Sequence, residues 1–172
     1  QSLAVRFTGY PIKAPMIDLT ECSAGGGSIA RVDALGALKV GPGSAGADPG
    51  PVCYGRGGTE PTVTDANLVL GRINPDYFVG GEATLDLKRA QLAIEQRIAR
   101  PLRLTVTQAA AGIVALVNAH MVRILRVVSV SRGLDPRAFS LAAFGGAGPL
   151  HAADLAAELK IPHVVIPEAP GV

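Results

Sequence analysis

Residues 41–58, GPGSAGADPGPVCYGRGG, hold seven glycines and three prolines. Ten turn-formers in 18 residues leave no place for a helix or a long strand. A loop of that length inside a compact domain is often functional. The bias extends beyond it, since 15 of the 21 glycines fall in residues 1–82. That part is expected to be strand and loop, and residues 83–172 mostly helix. Hydrophobic residues make up 48% of the chain, enough for a sizeable core, which excludes a disordered or collagen-like chain. We expect one domain over 1–172, cut from a longer protein, because the chain opens on Gln1 without a leader and ends on Pro170-Gly171-Val172.

Short apolar runs at 3–7 and 17–19 read as strands. Residues 29–33 and 37–40, joined around Leu35-Gly36, read as a β-hairpin. Helices are expected at 62–70, with Thr64 as N-cap and Gly71 closing it, and at 84–99, where the apolar period is helical. The longest helix should run over 107–130. Its wide apolar face includes Ile113, Val114, Val117, Met121 and Leu125, and Gly133 stands in the αL cap position. Residues 104–122 lack a charge, but Thr105, Thr107, Gln108, Asn118 and His120 favour a buried helix over a membrane span. FSLAAF at 139–144 reads as a buried strand, 150–159 as a helix with Pro149 in its first turn, and 163–166 as another strand. That order is a βαβ unit with parallel strands. The expected fold class is α/β, a mixed sheet with packed helices.

The function classes narrow from composition. A net charge of +2 without a Lys/Arg run, no Trp and 4% aromatics argue against a nucleic-acid surface. Cys22 and Cys53 match no zinc spacing and are too few for a disulfide framework, so no metal site is expected and a cytoplasmic location is. The turn Gly145-Gly146-Ala147-Gly148 between strand and helix suits a nucleotide: absent β-carbons permit close approach, and the helix start offers free N–H groups. Gly146-x-Gly148 is part of a dinucleotide fingerprint, with His151 in place of its third glycine and Glu168 22 residues past Gly146. Gly25, Gly26, Gly27 and Ser28 are the other candidates for a ligand cradle. Catalytic candidates are Asp48, Asp65 and His151. Each has a plainer reading: a turn cap for Asp48, a helix-dipole partner for Asp65 and a structural histidine for His151. Cys53 and His120 read mainly as structural.

Two blocks carry a resemblance. AGGGSIARVDALGALKVGPGSAGADPGPVCYGRGGTEPTVTDANLVLGRI (24–73) and RGLDPRAFSLAAFGGAGPLHAADLAAELKI (132–161) resemble the hydantoinase A / 5-oxoprolinase family. The resemblance implies a ribonuclease-H-like half of an actin-like, sugar-kinase-like ATPase fold, with FGGAG at 144–148 on the adenosine side. It implies ATP and Mg²⁺, a cyclic amide or imide substrate activated by phosphorylation of its carbonyl, and a hydantoinase B-type partner. The family's phosphate loops are not found in residues 1–23, where Asp18 lacks neighbouring glycines, so this portion alone is expected to be inactive. Two alternatives remain at this point: a dinucleotide-dependent oxidoreductase built on Gly146, Gly148 and Glu168, and a non-catalytic regulatory or subunit-contact domain.

Overall fold

The computed structural model describes residues 5–7, 10–12, 20, 22 and 24–171. Strands β1 (Val5–Phe7) and β2 (Tyr10–Ile12) pair antiparallel, with Val5 opposite Ile12. The strand expected at 17–19, and Asp18 with it, lies outside the described residues.

The expected hairpin is present as β3 (Ser28–Val32) and β4 (Leu38–Ser44), with Arg31 opposite Lys39 and Val32 opposite Leu38. Asp33 shapes its turn. Its Oδ1 accepts the N–H groups of Leu35 and Ala37, both at 2.9 Å. β4 runs on through Gly41-Pro42-Gly43 to Ser44, so the first four residues of the glycine-proline segment are strand rather than loop. The ladder tolerates Pro42 because β4 is bonded to β3 alone, and a missing N–H is harmless at a sheet edge. Further along, Val52–Tyr54 forms a single 3-10 turn closed by Gly55 in the left-handed region. The peptide bonds Gly41-Pro42 and Asp48-Pro49 are cis.

Helix α1 spans Val63–Val69 and is capped by Thr62, not by Thr64. Thr62 is extended, its Oγ1 accepts the Asp65 N–H, and the Asp65 side chain returns to the Thr62 N–H, a reciprocal capping box. Helix α2 (Leu87–Ile94) begins three residues later than the apolar period suggests, because Asp86 caps it through the Arg89 N–H at 2.9 Å. It widens into a π-helical turn over Glu95–Ala99 and ends in α3 (Arg100–Leu102). Pro101 accounts for the widening. Its ring has no N–H and would press on the carbonyl one α-turn back, and a π-turn accommodates the lost bond.

Helix α4 (Val106–Val128) starts at a second capping box, Thr105 with Gln108. A 3-10 turn over Val130–Arg132 follows, and Gly133 closes that turn at φ 75°. By length and composition alone Val106–Arg132 would suffice to cross a membrane. Its apolar stripe is nevertheless occupied within the chain. Ala109, Ala110, Ile113, Val114 and Val117 are sealed against β3, β4, α1 and the π-turn, whereas Ala111, Ala115, Ala119, Arg123 and Arg126 face outward.

The βαβ unit is formed by β5 (Ser140–Ala142), α5 (Gly148–Leu159) and β6 (His163–Val165). β5 and β6 pair parallel, Ser140 opposite His163 and Ala142 opposite Val165, as expected of a βαβ unit. Two expectations fail here. Among the described residues there is no single mixed sheet but three two-stranded ones, two antiparallel and one parallel. And β5 is not a buried strand: Ser140 and Ala142 are exposed, as are its flanking Phe139 and Phe144. Only one face of this small sheet is covered, by α4 and α5, whose Val122, Leu155 and Leu159 form their own cluster against Leu141.

Candidate functional site

The first glycine turn is tied to itself and to two neighbours. Ser28 N donates to Gly25 O and Gly25 N donates to Ser28 Oγ, both at 3.0 Å. The Gly26 carbonyl accepts the Thr64 N–H of α1 at 2.8 Å, and the Gly27 carbonyl accepts the Ala45 N–H of the long loop at 2.9 Å. Side chains are excluded here by close approach. A Cβ on Gly27 would stand 2.8 Å from Ser44 Oγ, and one on Gly26 2.7 Å from Thr64 Oγ1. Gly25 faces open space.

The second turn links β5 to α5. Gly145 takes φ 83°, and its N–H donates to Pro170 O beyond β6. Added β-carbons on Gly145, Gly146 or Gly148 would meet nothing within 4 Å. Helix α5 begins at Gly148, and Ala147 before it offers no side-chain cap. The N–H groups of its first turn and its positive dipole end are therefore left without a side-chain acceptor.

The two turns, more than a hundred residues apart in sequence, meet in space. The Cβ position of Gly26 that lies against Thr64 Oγ1 is also 3.6 Å from Ala147 Cβ. The first turn at Gly26 and the second at Ala147 thus come together. Beside the second turn, at the C-terminal end of β5, lies an apolar cavity of about 260 Å³ lined by Cys22, Met121, Leu141, Phe144, Gly148 and Ala152. The mouth of a strand-to-helix turn in a parallel α/β unit is where ligands settle.

The three catalytic candidates part company. His151, in the first turn of α5, is fully buried and points inward. Its Nδ1 is 2.7 Å from Asn118 Oδ1 on α4, and its Nε2 is 3.5 Å from Asn67 Nδ2 on α1. Asn118 passes the network on to Asp154 at 3.0 Å, which pairs with Arg72 at 2.9 Å. Burial, reinforced by the Arg72 charge and opposed by Asp154, pushes the His151 imidazole below its ordinary pKa. Asn67 Oδ1 has no partner among the described residues. Asp65 is equally buried, and its carboxylate accepts from Val52 N, Cys53 N, Thr62 N and Thr62 Oγ1 at 2.8–3.2 Å. It fastens the long loop to α1. Asp48 is exposed on that loop. The structure brings neither Asp48 nor Glu168, exposed beyond β6, into the network around His151.

Cys53 is buried beside Asp65, and desolvation followed by that carboxylate's charge pushes its thiol well above the ordinary range. No group of three or more His, Cys, Asp and Glu side chains gathers among the described residues. Sequence reasoning missed Thr64 as a neighbour of the glycine turns, missed Asn67, and placed Asn118 only among the polar residues of the long helix. The only local signal was the Thr-x-x-Asp spacing of 62–65, which moves the cap to Thr62 and frees the Thr64 side chain.

A family model described as Hydantoinase/oxoprolinase matches residues 2–172. The chain is 51% identical over 162 residues to caprolactamase subunit alpha of Pseudomonas jessenii, covering 94% of this chain and 23% of that protein. It is 38% identical to 5-oxoprolinase 1 of Arabidopsis thaliana, covering 96% of this chain and 14% of that one. The crystal structure of the ATP-dependent caprolactamase from Pseudomonas jessenii superposes with a TM-score of 0.86 over 94% of this chain and 23% of its own. A nucleotide-free acetone carboxylase structure, 38% identical, superposes at 0.80 over 86% of this chain and 21% of its own. The chain therefore spans under a quarter of the length of these relatives.

Proposed function

The chain belongs to the hydantoinase/oxoprolinase family, and on that footing we propose that it forms the nucleotide-side part of an ATP-dependent enzyme that opens a cyclic amide or imide. The observation that carries this reading is the meeting of the two glycine turns at Gly26 and Ala147. Both turns present backbone without side chains, and the uncapped start of α5 favours an anion. The apolar cavity at the end of β5 suits a purine. Resonance makes an amide carbonyl a poor electrophile, and phosphoryl transfer to its oxygen prepares it for water. Relatives named or described as caprolactamase, 5-oxoprolinase and ATP-dependent caprolactamase support this class of chemistry.

The described residues do not assemble a Mg²⁺ site of their own. The reading therefore gives the cation no ligand here. The assignment to one ribonuclease-H-like half of an actin-like ATPase fold comes from the family resemblance, and the order β5, glycine turn, α5, β6 with parallel strands agrees with it. A hydantoinase B-type partner is part of the same proposal, because several relatives are named as subunits. So is a cytoplasmic location, in keeping with two free cysteines.

Gly146→Val in the full-length protein tests the reading. Gly146 is open on its Cβ side and needs no positive φ, so the fold should tolerate valine while the ligand should not. Crowding of this kind costs ~1–3 kcal/mol, roughly a six- to 150-fold loss of ATP affinity. Calorimetric titration with a folding check by circular dichroism reads it. Unchanged ATP affinity in a folded variant would remove this turn from the nucleotide site. In parallel, ATP-dependent ring opening should be present in the full-length protein and absent from residues 1–172 alone.

A further inference from the structure

The hydroxyl groups around the first glycine turn are committed, with one exception. Ser28 Oγ accepts from Gly25 N, Ser44 Oγ from Gly46 N, and Thr62 Oγ1 donates to Asp65. Thr64 Oγ1 has no hydrogen-bond partner among the described residues, although the residue is only 9% exposed. Its position is nonetheless fixed. The Thr64 N–H holds the Gly26 carbonyl at 2.8 Å, and a β-branched side chain has little freedom at χ1. The oxygen sits over the side of Gly26 from which a side chain would project, the same point that Ala147 flanks from the other turn. It is the one hydroxyl of this group left uncommitted, free to donate to a ligand.

We propose that Thr64 is a ligand-contacting residue whose Oγ1 donates a hydrogen bond to a phosphoryl oxygen seated between the two glycine turns. The surroundings specify an anionic acceptor. Added β-carbons on Gly25 and Gly146 would meet nothing within 4 Å, α5 starts without a side-chain cap directly after Ala147, and the buried Asp65 carboxylate is already saturated by four donors. The inference rests on the nucleotide reading above and adds to it a named donor for the phosphate chain.

The test is calorimetric titration of full-length wild type, Thr64→Val, Thr64→Ser and Gly146→Val with ATP, ADP, adenosine and inorganic phosphate. Thr64→Val keeps the shape and removes the donor; if it does not fold, Thr64→Ala takes its place. Loss of a hydrogen bond to a charged group predicts roughly ten- to a hundredfold weaker ATP and ADP binding. Adenosine affinity should be unchanged, and Thr64→Ser should restore most of the loss. That pattern places the nucleotide's phosphate chain on Thr64. A loss confined to inorganic phosphate, again restored by serine, places a free phosphate there. Equal loss for adenosine, or no rescue by serine, would overturn the assignment in favour of a packing role. Weakening by Gly146→Val with none by Thr64→Val would overturn this inference and leave the nucleotide reading standing. Absence of ATP and phosphate binding in the wild type would overturn both.

Discussion

His151 Nδ1 lies 2.7 Å from Asn118 Oδ1, and this contact fixes the proton on a buried ring. The opposite nitrogen faces the Asn67 amide nitrogen at 3.5 Å, a donor, so Nε2 must accept and Nδ1 must carry the hydrogen. A second proton has no acceptor to meet. The arrangement therefore holds a neutral imidazole between three helices.

That neutrality makes stability depend on pH. The folded protein holds the His151 pKa below its unfolded value, through burial and the Arg72 charge against the opposing Asp154. The unfolded chain binds the proton first, so the contribution of His151 is complete above about pH 6.5 and declines as the pH falls toward the folded pKa. Denaturant midpoints measured from pH 7.5 to 5 should fall, and His151→Gln should flatten that fall. At pH 7.5 the same variant should lose about 2 kcal/mol, because buried amides are left mispaired. An unaltered slope would mean that other groups set the dependence.

Asp65 holds the long loop through the Val52 and Cys53 N–H groups, and the α1 N-cap through the Thr62 N–H and hydroxyl. Asp65→Ala strands these donors in the interior and should cost about 3–5 kcal/mol. Limited proteolysis of the variant should cut first within 41–58. Cleavage that begins elsewhere would show that the loop is held by something other than this carboxylate.

The two thiols should differ sharply in reactivity. Cys53 is 1% exposed and its thiol is pushed up by burial and by Asp65, whereas Cys22 is half-buried at the edge of the apolar cavity. With an aromatic disulfide reagent at pH 8, one thiol should react quickly and the second only on unfolding. Cys22→Ser should abolish the fast phase. Two equal rates would contradict the buried position of Cys53.

Glycine is required at position 58 for contact rather than for conformation. A Cβ there would run into the Gly50 carbonyl oxygen, with Pro51 C and O at 3.3 Å behind it. Gly58→Ala should cost ~1–3 kcal/mol, whereas Gly146→Ala, with nothing within 4 Å, should stay within about 0.5 kcal/mol of wild type. Thermal unfolding of the pair checks the contrast, and equal stabilities would refute the close approach.

Features written in short-range spacing were legible in the sequence. The hairpin of β3 and β4, the 3.6-residue stripe of α4 and the strand–turn–helix–strand order of 139–166 all emerged from local periodicity and turn chemistry. What failed depended on distant neighbours. FSLAAF reads as buried because it is apolar, but exposure is decided by what lies on the second face, and nothing in the six letters states that. The His151 network joins partners 33 and 84 residues away, so no window contains it. Thr64 as N-cap of 62–70 is displaced by its neighbour two residues earlier. The capping box needs a three-residue reach, and that reach selects Thr62.

Helix α4 serves two separate cores. Its first half, around Ile113 and Val117, locks against α1 and the hairpin, and its second half, around Val122 and Leu125, locks against α5 and β5. The first glycine turn hangs from one of these cores and the second from the other. The helix is therefore a ruler and a protractor at once. Inserting or deleting one residue near Ala119 would swing everything beyond it by about 100° and shift it by about 1.5 Å. Gly26 and Ala147 would then no longer face each other, even if each core reformed with every contact intact.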